Sequence, residues 1–360
     1  MFIIDAHEDI AWNMAVLGRD YTRSVAWNRA REAGSDLPAS VGQAMLGWPD
    51  WQAGQVAVVF ATLYAAPCRH SLGPSRVRCY SSPQEAHQLY QAQLHLYHRL
   101  TRRYPDRFYL ITSAADLSAG LAEWQASPPE TRRLGLVILM EGADAIRHPD
   151  EVSDWYAAGV RIIGPAWAGT QYAGGTGEPG PFTAAGRSLL RQMAARQMIL
   201  DLSHLAEEAV REALDSYPGP IIASHSNARA LLPDNHPDRH LSDQTIRHLA
   251  ERGGVIGVVL PIDFLKNGVR LGDPRQQVTL DDVVRHIDYL CQCTGSARYV
   301  GLGSDLDGGF GLEHSPVGID SIADLPRIGD ALVRRGYSPA DIAAIMGGNW
   351  RSFLEENLPA

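Results

Sequence analysis

The chain has 360 residues, of which 45% are hydrophobic and 20% are charged, and its formal net charge is -9. This composition is typical of a folded globular protein with enough apolar residues for one large core or two smaller ones. The acidic balance excludes a nucleic-acid-binding surface, because phosphate binding requires clustered Lys and Arg.

The N-terminus and the cysteines indicate where the protein works. The chain begins directly with an apolar run and lacks the features of a signal peptide, and no apolar stretch reaches the roughly 20 residues of a membrane helix. We therefore expect a cytoplasmic protein without membrane contact. Four cysteines are too few and too scattered for a disulfide framework: Cys68, Cys79, Cys291 and Cys293. We expect Cys291 and Cys293 to pack on a helix rather than to bind metal.

Apolar, β-branched runs recur along the chain, and most are separated by helical patterns. In chain order they are FIID, GQVAVVFATLY, LGLVILME, GVRIIGPA, MILDLSH, GPIIASH, GGVIGVVLP and YVGLGSD. Continuous Val, Ile and Leu runs are typical of parallel strands that are buried on both faces. Two spacers carry clear helix caps, at Ser82 and at Ser242.

This alternation predicts a (β/α)8 barrel, also called a TIM barrel. A doubly wound sheet is the alternative, but no G-x-G-x-x-G or G-x-x-x-x-G-K-[ST] loop follows the first strand. We predict one catalytic domain, 1–360, with long insertions at about 15–52 and 66–131. The first insertion is expected to be an irregular cap, and the second a loop followed by helices.

Ionisable residues end several predicted strands, where the active site of such a barrel lies. They are His7, Asp9, Glu141, His204, His225, Asp305 and Asp307. His7 and Asp9 share one face of their strand because they are two residues apart. Histidine and carboxylate ligands without thiolates suit zinc, or manganese, iron or cobalt. A single histidine at a strand end is usually structural, but burying so many ionisable groups unpaired would cost several kcal/mol each.

The first five of these residues exceed the needs of one catalytic ion. They suffice for two ions if Glu141 bridges them, and two ions that share a hydroxide generate a nucleophile near neutral pH. The sequence therefore favours a binuclear metal centre.

Six segments resemble the membrane dipeptidase family, also called renal dipeptidases, within the metal-dependent amidohydrolases. They are DAHEDIAW, GLVILMEGADAI, MILDLSHLAEEAV, IIASHSNARAL, GLGSDLDGG and RRGYSPADIAAIMGGNWRSFL, and they extend nearly end to end. The resemblance implies a barrel with two zinc ions that hydrolyses dipeptides, including those with a C-terminal D-residue. It implies that one ion is held by His7, Asp9 and Glu141, and the other by Glu141, His204 and His225.

The resemblance also implies roles for residues around the ions. Asp305 resembles the family's catalytic acid, which accepts a proton from the nucleophile and passes it to the leaving amine. Arg239 resembles the arginine that binds the substrate's terminal carboxylate, although an Asp is inserted before it. We expect Asp307 to support the SDLDG turn through backbone hydrogen bonds.

Two departures from the family affect the substrate site. Where the family places a histidine on strand four, this chain has Trp167, which cannot accept a hydrogen bond or titrate but can line a pocket. The glycine-rich segment that follows contains Tyr172, a candidate replacement in substrate binding. Pro261 stands at the end of strand seven, where the family often has a polar or aromatic element.

Three functions stay open after these departures. The first is a zinc dipeptidase, the second another amidohydrolase reaction such as N-acyl-amino-acid or lactone hydrolysis, and the third a metal-binding barrel that has lost hydrolysis. The retained ligands, Asp305 and Arg239 favour an enzyme that acts on a dipeptide or related small amide. The oligomeric state is undefined, and a homodimer stays open. Other histidines, His70 among them, are expected to be surface or structural residues, whereas Trp12 is considered for the pocket wall.

Overall fold

A parallel sheet organises the computed structural model, which describes residues 1–71, 78–236 and 238–360. The strands are β1 (Ile3–Glu8), β2 (Val56–Leu63), β3 (Phe108–Leu110), β4 (Leu134–Glu141), β5 (Val160–Gly164), β6 (Ala173–Gly175), β7 (Glu178–Phe182), β8 (Ile199–Asp201), β9 (Ile221–Ile222), β10 (Ile256–Val258) and β11 (Val300–Leu302). The main sheet has the order β10-β11-β1-β2-β4-β5-β8-β9, and a parallel bridge between Ala223 and Ile256 joins its two ends. The predicted (β/α)8 barrel is confirmed.

Burial explains the strand sequences. β1, β2 and β4 are buried at every position, as expected for barrel strands covered by helices. β3 adds a short parallel strand to β4 outside the barrel order, and β6 and β7 form a separate antiparallel hairpin. Neither feature was predicted from the sequence, because strands this short carry little periodicity of their own.

Helices cover the barrel and fill its loops. They are α1 (Ile10–Val16), α2 (Val25–Glu32), α3 (Leu37–Val41), α4 (Trp48–Ala53), α5 (Pro83–Arg103), α6 (Ala114–Ala126), α7 (Val152–Ala157), α8 (Ala184–Ala194), α9 (Glu207–Ser216), α10 (Asp243–Glu251), α11 (Ile262–Leu265), α12 (Leu280–Thr294), α13 (Pro326–Arg335), α14 (Pro339–Ala343) and α15 (Asn349–Asn357). Ser82 and Ser242 cap α5 and α10 by accepting hydrogen bonds from backbone N–H groups, as predicted.

The two long insertions can be compared with their predicted structures. The second contains α5 and α6 with β3 between them, and residues 72–77 of the predicted loop lie outside the described residues. The first is not irregular, since it contains α2, α3 and α4. Helices of five to eight residues are marginal alone and form where tertiary contacts support them, so periodicity does not reveal them.

The cysteines fall into two kinds. Cys68 and Cys79 form a disulfide, a pairing that the sequence analysis did not assign, because it requires a proximity that spacing alone does not specify. Cys291 and Cys293 are free and lie partly buried on α12, as predicted. Within the described ranges, none of the helices has the length and apolar character needed to cross a membrane. The cytoplasmic location stays a prediction.

Candidate active site

A cavity of about 500 Å3 opens at the carboxyl ends of the barrel strands. Its lining includes six residues selected from the sequence for metal or substrate chemistry: Asp9, Glu141, Trp167, His204, Arg239 and Asp305. His7 and His225 lie beneath this lining, each with only 1% of its surface exposed. The barrel therefore brings together the side chains that end separate strands.

Glu141 lies at the centre of the cluster. Its Oε2 is 3.7 Å from Nε2 of His7, whereas its Oε1 is 3.2 Å from Nε2 of His204 and 3.4 Å from Nε2 of His225. The Nε2 atoms of His204 and His225 are 3.1 Å apart. The two carboxylate oxygens thus face different imidazoles, which is the arrangement that a bridging carboxylate requires.

Asp9 and Asp305 flank His7 on its other side. The Nε2 atom of His7 is 4.0 Å from Oδ1 of Asp9 and 3.9 Å from Oδ1 of Asp305. Two groups of side chains could each hold a metal ion, because the potential ligand atoms within each group all lie within 4.8 Å of one another. One group is His7, Glu141 and His225, and the other is His7, Asp9 and Asp305. Asp305 is therefore close enough to serve as a ligand as well as a proton carrier.

Hydrogen bonds orient two of the imidazoles. Ser224 Oγ lies 2.8 Å from Nδ1 of His225 and donates its proton to Asp201. Thr176 Oγ1 lies 3.1 Å from Nδ1 of His204. With Nδ1 engaged in this way, the lone pair of each Nε2 is free to point at the centre of the cluster.

Backbone conformation also positions the cluster. His204 and Asp305 have φ angles of 68° and 58°, in the left-handed region that residues other than glycine rarely adopt. Such strain is characteristic of functional sites. Gly308 is required beside Asp305, because a Cβ at that position would lie 1.7 Å from Oδ1 of Asp305.

Burial sets the protonation of the cluster. It raises the pKa of Glu141 and of Asp305 well above the usual range, and the charge of Asp9 raises both further. Burial raises the pKa of Asp9 itself to about 7. It lowers the pKa of His7 to about 3, so that this imidazole is neutral at pH 7. Crowded carboxylates beside neutral imidazoles form a donor set that fits divalent cations.

Arg239 is the cation of the cavity wall. It is almost fully buried, and it donates hydrogen bonds to the carbonyl of His225 (2.7 Å) and to Oγ of Ser226 (3.1 Å). Its Nε has no hydrogen-bond partner among the described residues. The guanidinium also lies 5.5 Å from the ring centroid of Phe264. A buried guanidinium with unused donor capacity suits recognition of a carboxylate.

The two candidates for substrate binding that follow β5, Trp167 and Tyr172, lie in different surroundings. Trp167 lines the cavity, and its ring lies 5.9 Å from that of His204 and 5.4 Å from that of Tyr64. Tyr172 does not line the cavity, because it is fully buried and its hydroxyl donates to the carbonyl of Ile146. The expectation that Tyr172 binds substrate is therefore wrong, because its side chain packs in the protein interior and not in the cavity.

Several cavity residues were not selected from the sequence. They are Tyr64, Phe264 and Phe310, together with two histidines, His70 and His236. His70 was expected to be a surface or structural residue, but it lines the cavity with Nε2 2.7 Å from Oε1 of Glu178. Tyr64 carried a usable signal, since it directly follows the apolar run of β2 at the carboxyl end of the strand.

Asp307 lies outside the cavity lining and has a structural role. It accepts hydrogen bonds from the hydroxyl of Tyr21 (2.7 Å) and from the backbone N–H groups of Met45 (2.8 Å) and Leu46 (3.2 Å). The guanidinium of Arg19 lies 2.9 Å from its Oδ1. Asp307 therefore fastens the first insertion to the end of β11. It makes backbone hydrogen bonds as expected, but to the insertion rather than within its own turn.

Comparison with known sequences identifies relatives over almost the whole chain. The profile of the membrane dipeptidase family, peptidase family M19, matches residues 1–357. A Klebsiella pneumoniae protein, known as an uncharacterized protein in the pqqA 5′ region, is 34% identical over 274 residues, which cover 73% of this chain and 94% of that protein. The dipeptidase aclJ of Aspergillus oryzae is 28% identical over 285 residues, which cover 76% of this chain and 63% of that protein.

Solved structures share the fold from end to end. The dipeptidase AC, a metallopeptidase of family M19, has a TM-score of 0.80 and 25% identity, covering 100% of this chain and 99% of that chain. A Rhodobacter sphaeroides metallopeptidase, liganded with a phosphinate mimic of the dipeptide L-Ala-D-Ala, has a TM-score of 0.80 and 23% identity, with 99% of each chain covered.

Proposed function

The chain belongs to the membrane dipeptidase family, peptidase family M19, and is a metal-dependent hydrolase; from this premise we propose that it is a zinc dipeptidase with two ions and that it accepts C-terminal L- or D-residues. One observation carries the proposal of two ions. The two oxygens of Glu141 face His7 on one side and the pair of His204 and His225 on the other.

Five residues of the chain would hold the ions. We assign His7, Asp9 and Glu141 to one ion, and Glu141, His204 and His225 to the other. Bound there, divalent ions supply an activated water and polarise the scissile carbonyl. The neutral imidazoles and crowded carboxylates support this assignment, because a cation relieves the repulsion among the buried anions.

Asp305 and Arg239 would act on the substrate. Asp305 carries a proton from the attacking water to the leaving amine, a role supported by its place in the lining and by its position 3.9 Å from Nε2 of His7. Arg239, which lines the cavity, binds the terminal carboxylate through its guanidinium and so aligns the peptide bond with the centre.

Hydrolysis of a matched dipeptide panel tests the proposal. Purified protein would be depleted of metal, reloaded with zinc and assayed with L,L and L,D dipeptides, with metal content measured on the same samples. We expect turnover only after reloading, at about two ions per chain. Full turnover by the metal-depleted protein, or two bound ions without turnover of any dipeptide, would overturn the proposal.

A further inference from the structure

Two aromatic walls of different character border the cavity. The first, the acyl wall, consists of Trp12, Tyr64 and Trp167; the second, the carboxylate wall, consists of Arg239, Phe264 and Phe310. In the acyl wall, the ring of Tyr64 lies 6.2 Å from that of Trp12 and 5.4 Å from that of Trp167. In the carboxylate wall, the ring of Phe264 lies 6.3 Å from that of Phe310 and 5.5 Å from the guanidinium of Arg239.

The barrel order places the walls on opposite halves of the mouth. The acyl wall follows β1, β2 and β5, which belong to the continuous arc β1-β2-β4-β5. The carboxylate wall follows β9, β10 and β11, which form the other arc through the bridge between Ala223 and Ile256. A substrate whose carboxylate is held by Arg239 and whose amide lies over the metal centre must therefore extend its acyl half toward the acyl wall.

The acyl wall offers apolar surface but no anion. The carboxylates in the described cavity lining are Asp9, Glu141 and Asp305, and all three belong to the metal centre. Glu178 and Asp263 contact the lining residues His70 and His236, but neither carboxylate lines the cavity itself. An α-ammonium on the acyl half would therefore lose water without gaining a dedicated counterion, and it would lie near bound cations.

We infer that the enzyme also hydrolyses N-acyl amino acids whose acyl group is aromatic and uncharged. The inference rests on the proposed function, since it uses the same metal centre and the same Arg239. Water adds across the amide bond: the C–N bond breaks, the acyl carbon gains the hydroxyl, and the leaving nitrogen gains the proton. The products are an aromatic carboxylic acid and a free amino acid. The ring of the acyl group packs against Tyr64 and Trp167, as offset or edge-on aromatic pairs do.

Four substrates that vary the ring and the ammonium independently test the inference on the zinc-loaded enzyme. Phenylalanyl-alanine and 3-phenylpropanoyl-alanine differ only in the α-ammonium, and glycyl-alanine and acetyl-alanine are the corresponding pair without the ring. Each is made with both enantiomers of the C-terminal alanine. We expect kcat/KM for 3-phenylpropanoyl-alanine to lie within about 10-fold of that for phenylalanyl-alanine, and the ring to add roughly 10- to 100-fold in both pairs.

The outcomes separate this inference from the proposed function. Cleavage of phenylalanyl-alanine with no cleavage of 3-phenylpropanoyl-alanine would overturn the inference and leave the dipeptidase proposal intact. Equal kcat/KM for acetyl-alanine and 3-phenylpropanoyl-alanine would overturn the role of the acyl wall. Failure to cleave any of the four would overturn both.

Variants of the acyl wall provide a second readout. Trp167→Ala should lower kcat/KM for 3-phenylpropanoyl-alanine roughly 10-fold more than it lowers kcat/KM for acetyl-alanine, whereas Trp167→Phe should retain most of the preference for the ring. Trp27→Ala is the matched control, because Trp27 is exposed on α2 and does not line the cavity. An equal loss on both substrates in Trp167→Ala, at unchanged metal content and melting temperature, would contradict the assignment of the acyl wall.

Discussion

Asp305 and Asp307 follow the same strand, are both buried and have similar left-handed φ angles of 58° and 64°, yet their surroundings are opposite. Asp307 is surrounded by donors: a hydroxyl, two backbone N–H groups and the guanidinium of Arg19. Asp305 faces the neutral imidazole of His7 and the charge of Asp9, with Arg239 as its cationic neighbour.

The comparison separates a structural carboxylate from a functional one. The protein itself satisfies Asp307, which therefore stabilises the fold and holds the first insertion. The cluster around Asp305 and Glu141 lacks enough cationic charge within the protein, so its anions are fully stabilised only when metal is bound. Changes on the two sides should accordingly have different readouts.

Glu141→Gln should have the largest effect. The amide keeps the shape but loses the charge and one of the two acceptor oxygens that face the imidazoles, so we expect at least one ion to be lost and turnover to fall by roughly 10^4-fold. Metal analysis and kcat for the best dipeptide measure this. Glu208→Gln, at an exposed position of α9, is the control. Two tightly bound ions and near-normal kcat in Glu141→Gln would contradict the bridging role.

Asp305→Asn should keep both ions and lower kcat by about 10^3-fold, because the amide cannot carry the proton to the leaving amine. Metal content and kcat would be measured on the same preparation. Loss of one ion would instead assign Asp305 as a ligand, which its position beside His7 permits. Unchanged kcat would remove it from the mechanism.

Asp307→Ala should act on stability rather than on chemistry. Removing this carboxylate leaves the buried guanidinium of Arg19 without one of its two carboxylate partners, so we expect unfolding free energy to fall by about 3 kcal/mol. Urea unfolding measures it, with the exposed Asp330→Ala on α13 as control. A stability equal to that of the control would show that the donors around Asp307 do not hold the insertion.

Arg239→Lys should raise KM by roughly 10- to 100-fold for substrates with a free terminal carboxylate, because an ammonium cannot reproduce the planar donors of guanidinium. Dipeptide amides, which lack that carboxylate, are the matched control and should change little. An equal change for acids and amides would refute carboxylate binding by Arg239.

The smallest expected effect is a pH dependence of stability that is steeper in the metal-free protein than in the zinc-loaded protein. An acid such as Asp9, whose pKa burial raises to about 7, binds more protons in the folded state than in the unfolded state, so stability falls as pH rises toward 7. The histidines with lowered pKa oppose this trend only below their unfolded value of 6.5.

Above pH 6.5 only the buried carboxyl groups contribute to this pH dependence of stability. We expect the metal-free protein to lose about 1 kcal/mol between pH 6.5 and about pH 8, and the zinc-loaded protein to lose less, because bound ions keep the carboxylates deprotonated. Urea unfolding at both pH values measures the difference. The same slope with and without zinc would place the titrating groups outside the metal centre.

The site residues at the ends of strands could be predicted from the sequence, whereas the positions of side chains in loops could not. His7, Glu141 and His225 could be selected because a parallel barrel gathers the ends of its strands at one mouth. Tyr172 could not be placed, because the direction of its side chain depends on the hairpin of β6 and β7 rather than on any periodic pattern. His70 was misjudged for the same reason, since a contact with Glu178 holds it at the cavity.

The acyl wall shows an intermediate case. Trp12 was considered because it follows the first predicted strand and Trp167 because it stands where the family has a histidine, and both line the cavity. Their contacts with Tyr64 depend on the order β1-β2-β4-β5 in the closed sheet, which brings the segments after β1, β2 and β5 to one side of the mouth. The sequence therefore indicates single aromatic residues near the cavity, but it does not predict that they contact one another and form one surface.

The most direct test of the metal centre is a stoichiometric zinc titration of the metal-free enzyme, with bound zinc and dipeptide turnover recorded at each addition. The account predicts that turnover rises to a plateau at about two zinc ions per chain in the wild type. In Glu141→Gln, fewer ions should bind and no plateau of activity should appear. Full turnover before any zinc is added, or binding of two ions that is equally tight in the variant, would contradict it.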